Sequence, residues 1–147
     1  MEEAAAEIVL GNLIIASLLL VTTTVIHATG MAISLRCSRD MLRCKERHPR
    51  WLLIKPLTVS SVVVLMFIAS VIEVVIWAGA YTLLGAITEM ETATYFSMVT
   101  FTTLGYGDIV LDARWRLLGS FQAANGIIMF GWTTAVVLAV VQRSYGK

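Results

Sequence analysis

Three long apolar blocks dominate the chain, at about 8–35, 57–87 and 116–142. Each exceeds the about 20 residues a helix needs to cross a bilayer, so some tilt or headgroup overlap is expected. A shorter stretch, 88–111, separates the second block from the third. It is too short to cross as a helix and return. It fits a re-entrant element, tolerated at membrane depth only where protein buries it or it lines a watery path. Thr88-x-x-Glu91 has the spacing of a capping box and predicts a short helix over 89–102. The pattern thus predicts an all-α membrane protein with three transmembrane helices plus a re-entrant helix and loop.

Composition agrees. The chain is 58% hydrophobic and only 14% charged, where soluble domains are closer to about a quarter charged. A net charge of +1 gives nucleic acid nothing to bind. The residues before the first block include Glu2, Glu3 and Glu7. A secretory signal would carry positive charge there, so the first block is expected to stay as a permanent helix.

Charge also sets the expected orientation. The segment 36–56 holds Arg36, Arg39, Arg43, Lys45, Arg47, Arg50 and Lys55 against only Asp40 and Glu46. The positive-inside rule places this basic loop in the cytoplasm. Three crossings then put the N-terminus outside and Arg143 and Lys147 inside. The acids Glu2, Glu3, Glu7, Glu89, Glu91, Asp108 and Asp112 fall outside, and the re-entrant loop enters from that side. Within 36–56, the residues Trp51 to Ile54 read either as an interfacial foot before a helix started by Pro56 or as an extension of that helix.

Within the loop, residues 102–108 read Thr102-Thr103-Leu104-Gly105-Tyr106-Gly107-Asp108. Two glycines one residue apart permit positive φ where an L-residue resists it, so the backbone can alternate hand and turn successive carbonyls to one side. Rings of such carbonyls replace the water around a potassium ion. From about Leu57 to Gln142 the chain resembles the pore unit of potassium channels, most of all the small prokaryotic channels of the ion-channel-2 type. The resemblance implies an outer helix (57–87), a pore helix (89–102), a selectivity filter (103–108) and an inner helix (116–142), together a pore domain over 57–147. The helix within 1–35 lies outside that pattern.

The resemblance further implies a homotetramer around a central pore, with potassium held at Thr103, Leu104, Gly105 and Tyr106 and the strand completed by Gly107. Thr102, Asp108 and Tyr95 would support the filter, with the Tyr95 hydroxyl reaching Asp108. Leu104 stands where valine is commonest, and Val99 where several relatives carry a glutamate. Gly126 matches a hinge glycine, though plain helix packing fits Gly126 and Gly131 equally well. Ile127, Phe130 and Thr134 would face a cavity and gate. The implied protein is a passive potassium channel of the plasma (cell inner) membrane, with no cofactor beyond the permeant ion. Two rival readings are a non-conducting subunit that regulates another channel or transporter, and a weakly selective cation channel.

Other polar residues are less decisive. Cys37, Cys44 and His48 read as free side chains rather than a metal site. No Ser/His/Asp set, phosphate loop or metal-binding helix motif supports an enzyme. Glu73 lies near the middle of the second block, where a charge usually has a role or a partner. It shares a helical face with Ser70, Trp77 and Tyr81, so that face is expected to meet protein. Depth counting favours Asn125 or the base of the pore helix as its partner, over His27. The pair is read either as a structural bond or as a tuner of gating.

Overall fold

The structure, a computed structural model, describes residues 2–43 and 51–145. Cys44, His48 and the basic residues from 45 to 50 lie outside the described residues. Four helices account for the rest: α1 (Glu2–Arg43), α2 (Trp51–Leu83), α3 (Met90–Phe101) and α4 (Arg116–Tyr145). No strand occurs among the described residues. Three of the four helices, α1, α2 and α4, are long and apolar enough to cross a membrane.

The helix ends correct several sequence expectations. α1 runs on to Arg43 instead of stopping at 35. Nothing between 36 and 43 breaks a helix, and Arg39 Nε bonds back to the Leu35 carbonyl at 3.1 Å. Charge ends a lipid-embedded span, not a helix. α2 begins at Trp51, so Pro56 lies inside it and does not start it. A proline that close to the N-terminus removes only one intrahelical bond. Of the expected loop of 36–56, residues 36–43 and 51–56 are therefore helical.

α2 also stops at Leu83 rather than 87. There Gly85 takes a φ of +69°. Its N–H donates to the Thr82 carbonyl at 3.1 Å, and the Ala86 N–H donates to the Tyr81 carbonyl at 2.9 Å. That bond pair is a Schellman ending, with glycine at its left-handed position. The capping box at the start of α3 is not formed. The N-cap is Glu89, one residue later than the spacing of Thr88 and Glu91 implied, with no side-chain bond to the helix backbone.

α2 and α4 pack together; α1 and α3 each pack against both. At one end Trp77, Tyr81, Ala93 and Leu118 form a core cluster with Ala16 of α1. Val74, Phe101 and Met129 join α2, α3 and α4 in the middle. Val62, Met66, Val136 and Val140 close the other end.

α1 reverses the pattern of a soluble helix. Its buried face carries Asn12, Ala16, Thr23, His27, Ser34 and Ser38, while Leu18, Val21, Val25 and Ile33 are exposed. Without a hydrophobic drive between helices in lipid, small and polar residues mediate their contact. Gly30 fits that rule: a Cβ there would lie 3.0 Å from Ala69 Cβ of α2.

Candidate functional site

α3 delivers the chain directly into the 102–108 segment. Its last turn ends as α2 does. The Thr103 N–H donates to the Thr100 carbonyl at 2.9 Å, and the Leu104 N–H donates to the Val99 carbonyl at 3.0 Å. The left-handed position of this second Schellman ending is Thr103, with φ +58°. Left-handed backbone is uncommon outside glycine and a genuine outlier for a β-branched residue. Beyond it Gly105 (φ +55°) and Gly107 (φ +79°) are again left-handed, and no other residue from 102 to 108 has positive φ. The sign of φ therefore alternates residue by residue from 103 to 107. Gly105 and Gly107 have open space where a Cβ would stand, so φ rather than crowding selects glycine there.

Side chains of this segment turn away from the chain's own core. Leu104 is 56% exposed and Tyr106 67%. The Tyr95 hydroxyl of α3 donates to Asp108 Oδ2 at 2.6 Å, the bond expected from the sequence. It ties the far end of the segment back to the helix that precedes it. The bond holds the Asp108 carboxyl below its usual range and pushes the Tyr95 phenol above its own. Thr102 Oγ1 bonds to the Met98 carbonyl at 2.8 Å and so caps the last turn of α3.

A buried network behind α3 fixes its position, and the sequence reading missed it. Tyr81 of α2 donates to Gln122 Oε1 of α4 at 2.7 Å. Gln122 Nε2 reaches Ser97 Oγ of α3 at 2.6 Å, and the Ser97 hydroxyl donates to the Val74 carbonyl of α2 at 2.7 Å. All three side chains are fully buried. The signal was available: Gln122 and Ser97 are polar residues amid apolar neighbours, costly to bury unpaired.

Gly126 sits where α4 crosses the end of α3. A Cβ on it would lie 1.9 Å from the Phe101 carbonyl oxygen. Close approach is therefore a sufficient reason for glycine, and α4 runs unbroken through it. Gly131 differs, with nothing within 4 Å of an added Cβ; its expected close packing is not found within the chain. Ile127, Phe130, Gly131 and Thr134 are all exposed, on one face of α4. The Phe130 ring meets Phe101 edge-on at 5.6 Å.

Glu73 is fully buried, as its helical face predicted, but its partner is His27, against the sequence expectation. His27 Nδ1 and Glu73 Oε1 lie 2.8 Å apart. His27 Nε2 bonds to Thr133 Oγ1 of α4 at 3.1 Å. Asn125 pairs not with Glu73 but with Thr23 of α1, its Nδ2 donating to Oγ1 at 3.0 Å. Depth counting failed because it aligned span centres. α1 is staggered: Ile15 and Leu84 line the same cavity, and His27 and Glu73 lie nearly equal distances along their helices from it.

A left-handed alternation after a short helix, braced between two membrane-length helices, defines the class of an ion-conducting pore unit. The comparison with protein families agrees: residues 58–143, more than half of the chain, match a family described as ion channel. The chain belongs to this ion channel family. Searches of curated proteins and of solved structures find no match. α1 lies outside the matched region.

Proposed function

We propose that four copies of this chain form a potassium-selective channel that conducts passively down the electrochemical gradient. The observation that carries this reading is the alternation of φ from Thr103 to Gly107. Successive peptide planes then present their carbonyls to one side, as a dehydrated potassium ion requires. In a ring of four, the carbonyls of Thr103, Leu104, Gly105 and Tyr106 form the ion sites, with the Thr103 hydroxyl at one end. Gly107 completes the strand, and Asp108 with Tyr95 holds it at the mouth. The C-terminal carbonyls of α3 carry partial negative charge that favours a cation near the pore axis. The exposed face of α4 with Ile127, Phe130, Gly131 and Thr134 lines the cavity and gate. Charge bias supports a plasma (cell inner) membrane location with the N-terminus outside and the C-terminus in the cytoplasm.

The test is ion flux into liposomes holding only the purified protein. The expected result is potassium uptake with sodium uptake at least about tenfold slower, equivalent to about 1.4 kcal/mol of discrimination. Equal uptake of both ions would mean a weakly selective cation channel. No uptake, from protein that still forms tetramers, would favour a non-conducting regulatory subunit.

A further inference from the structure

The channel reading leaves α1 without a task, and α1 holds half of a buried titratable pair. Glu73 and His27 are both fully buried. Their surroundings isolate them. His27 is the only titratable side chain of α1 between residues 8 and 35, and Glu73 the only one of α2 between 57 and 80. α4 has none between 117 and 142; it faces the pair with Thr133 and with the Trp132 ring, 5.5 Å from the imidazole. α3 meets this part of α2 through Ser97 and Phe101, which do not titrate. Tyr81, two turns from Glu73 on α2, is engaged with Gln122.

We propose that the Glu73–His27 pair is a proton-operated brace through which α1 restrains α4, and that acidification releases it. With one proton between them the pair is neutral overall, whether as an ion pair or as two uncharged groups. A second proton leaves a net positive charge in a site closed to water, a state that burial strongly penalises. Glu73 Oε2 has no hydrogen-bond partner among the described residues, so it takes that proton with no bond to lose. The penalty is relieved when α1 separates and water enters. The separation reaches α4 because His27 Nε2 is bonded to Thr133, and because Thr23, one turn away on α1, is bonded to Asn125. Proton binding that favours the released state shifts the balance toward release, and couplings of this kind are typically about 5–150-fold.

The experiment is potassium flux through reconstituted wild-type protein as pH falls from about 6 to about 3, the range in which a hydrated glutamate beside a protonated histidine takes up the second proton. The inference rests on the channel reading only for this readout. Flux is expected to rise about tenfold. Glu73→Gln and His27→Gln are each expected to conduct with a flat pH curve. Thr133→Val, which leaves the pair titratable but cuts one link to α4, is expected to shrink the response. A flat or falling wild-type curve, or a curve that Glu73→Gln leaves unchanged, overturns the brace. If wild type carries no potassium, the channel reading fails separately. Infrared difference spectra then decide the proton site: a carboxylic acid band that titrates in wild type and is missing in Glu73→Gln upholds it, and no such band overturns it. Should Glu73→Gln fail to assemble, His27→Gln serves for the flux curve and Glu73→Asp, which moves the carboxyl band, serves for the infrared measurement.

Discussion

α2 and α3 end in the same bonded turn, one with Gly85 at the left-handed position and the other with Thr103. Gly85 takes that conformation at no steric cost. A threonine there costs about 1–2 kcal/mol in clash between Cβ and backbone. The fold contains its own demonstration that glycine suits this turn, so the threonine is kept for something other than the turn. Strain of this kind persists where surrounding structure over-determines it and is concentrated at functional sites. Here it is the first step of an alternation that continues through Gly105 and Gly107, and it places a hydroxyl and a carbonyl at the entrance to that run.

The severest challenge to this contrast is Gly105→Ala. A methyl at φ +55° twists the run without touching any neighbour. Potassium flux is expected to vanish in liposomes while gel filtration still finds a tetramer. Selective flux in this variant would mean that the alternation does not conduct.

Gly126→Ala attacks the end of α3 from outside. Its Cβ must displace the Phe101 carbonyl, and overpacking of this kind costs about 1–3 kcal/mol. A clear fall in thermal midpoint is expected, whereas Gly131→Ala, meeting open space in the chain, should melt close to wild type. Equal behaviour of the two variants would return Gly126 to a hinge role.

The two turns are then compared directly. Thr103→Gly is expected to melt at or above the wild-type temperature and to lose most potassium-over-sodium preference. Gly85→Ala should lose about 1 kcal/mol of stability and keep its selectivity, since φ is strained but no ion site is touched. If Thr103→Gly keeps full selectivity, the strain at Thr103 has another cause.

The smallest effect concerns pH at the mouth. Asp108 titrates below its ordinary value because Tyr95 donates to it. A depressed carboxylate contributes stability above its unfolded-state pKa and loses it as pH falls through the folded value. The Tyr95 phenol is raised, so it stays a donor at alkaline pH. The potassium-to-sodium ratio is therefore expected to hold steady from about pH 9 to about pH 5 and to fall only in stronger acid. This ratio is a separate reading from the flux magnitude that the proposed α1 brace would control. A ratio drifting near neutrality would remove Asp108 from the support of the segment.

Much of this site was legible in the residues. Gly105 and Gly107 announce positive φ because little else tolerates it, and the bond from Tyr95 on α3 to Asp108 was expected from the family resemblance. Thr103 was not legible as left-handed, because a β-branched residue signals the opposite. The polar residues of α1 were visible, but a sequence does not show which helix each will meet. His27 was set aside for Glu73 because counting from span centres ignores stagger. Gln122 and Ser97 were overlooked because each is one of several polar residues on its helix, and the sequence does not show which of them are buried.

The contacts of α1 have a consequence for how the chain is made. Asn12 and Arg114, and likewise Thr23 and Asn125, are 102 positions apart, whereas His27 and Glu73 are 46 apart. At synthesis rates of about 5–20 residues per second, Arg114 and Asn125 emerge roughly 5–20 s after their partners on α1. During that wait only α2 is available, so the α1–α2 hairpin forms first, closed by His27 and Glu73. Asn12 stays without the Arg114 carbonyl, and Thr23 without Asn125 of α4, until the last part of the chain arrives. Greater polarity on that face would therefore act during insertion, seconds before the finished packing exists to shelter it.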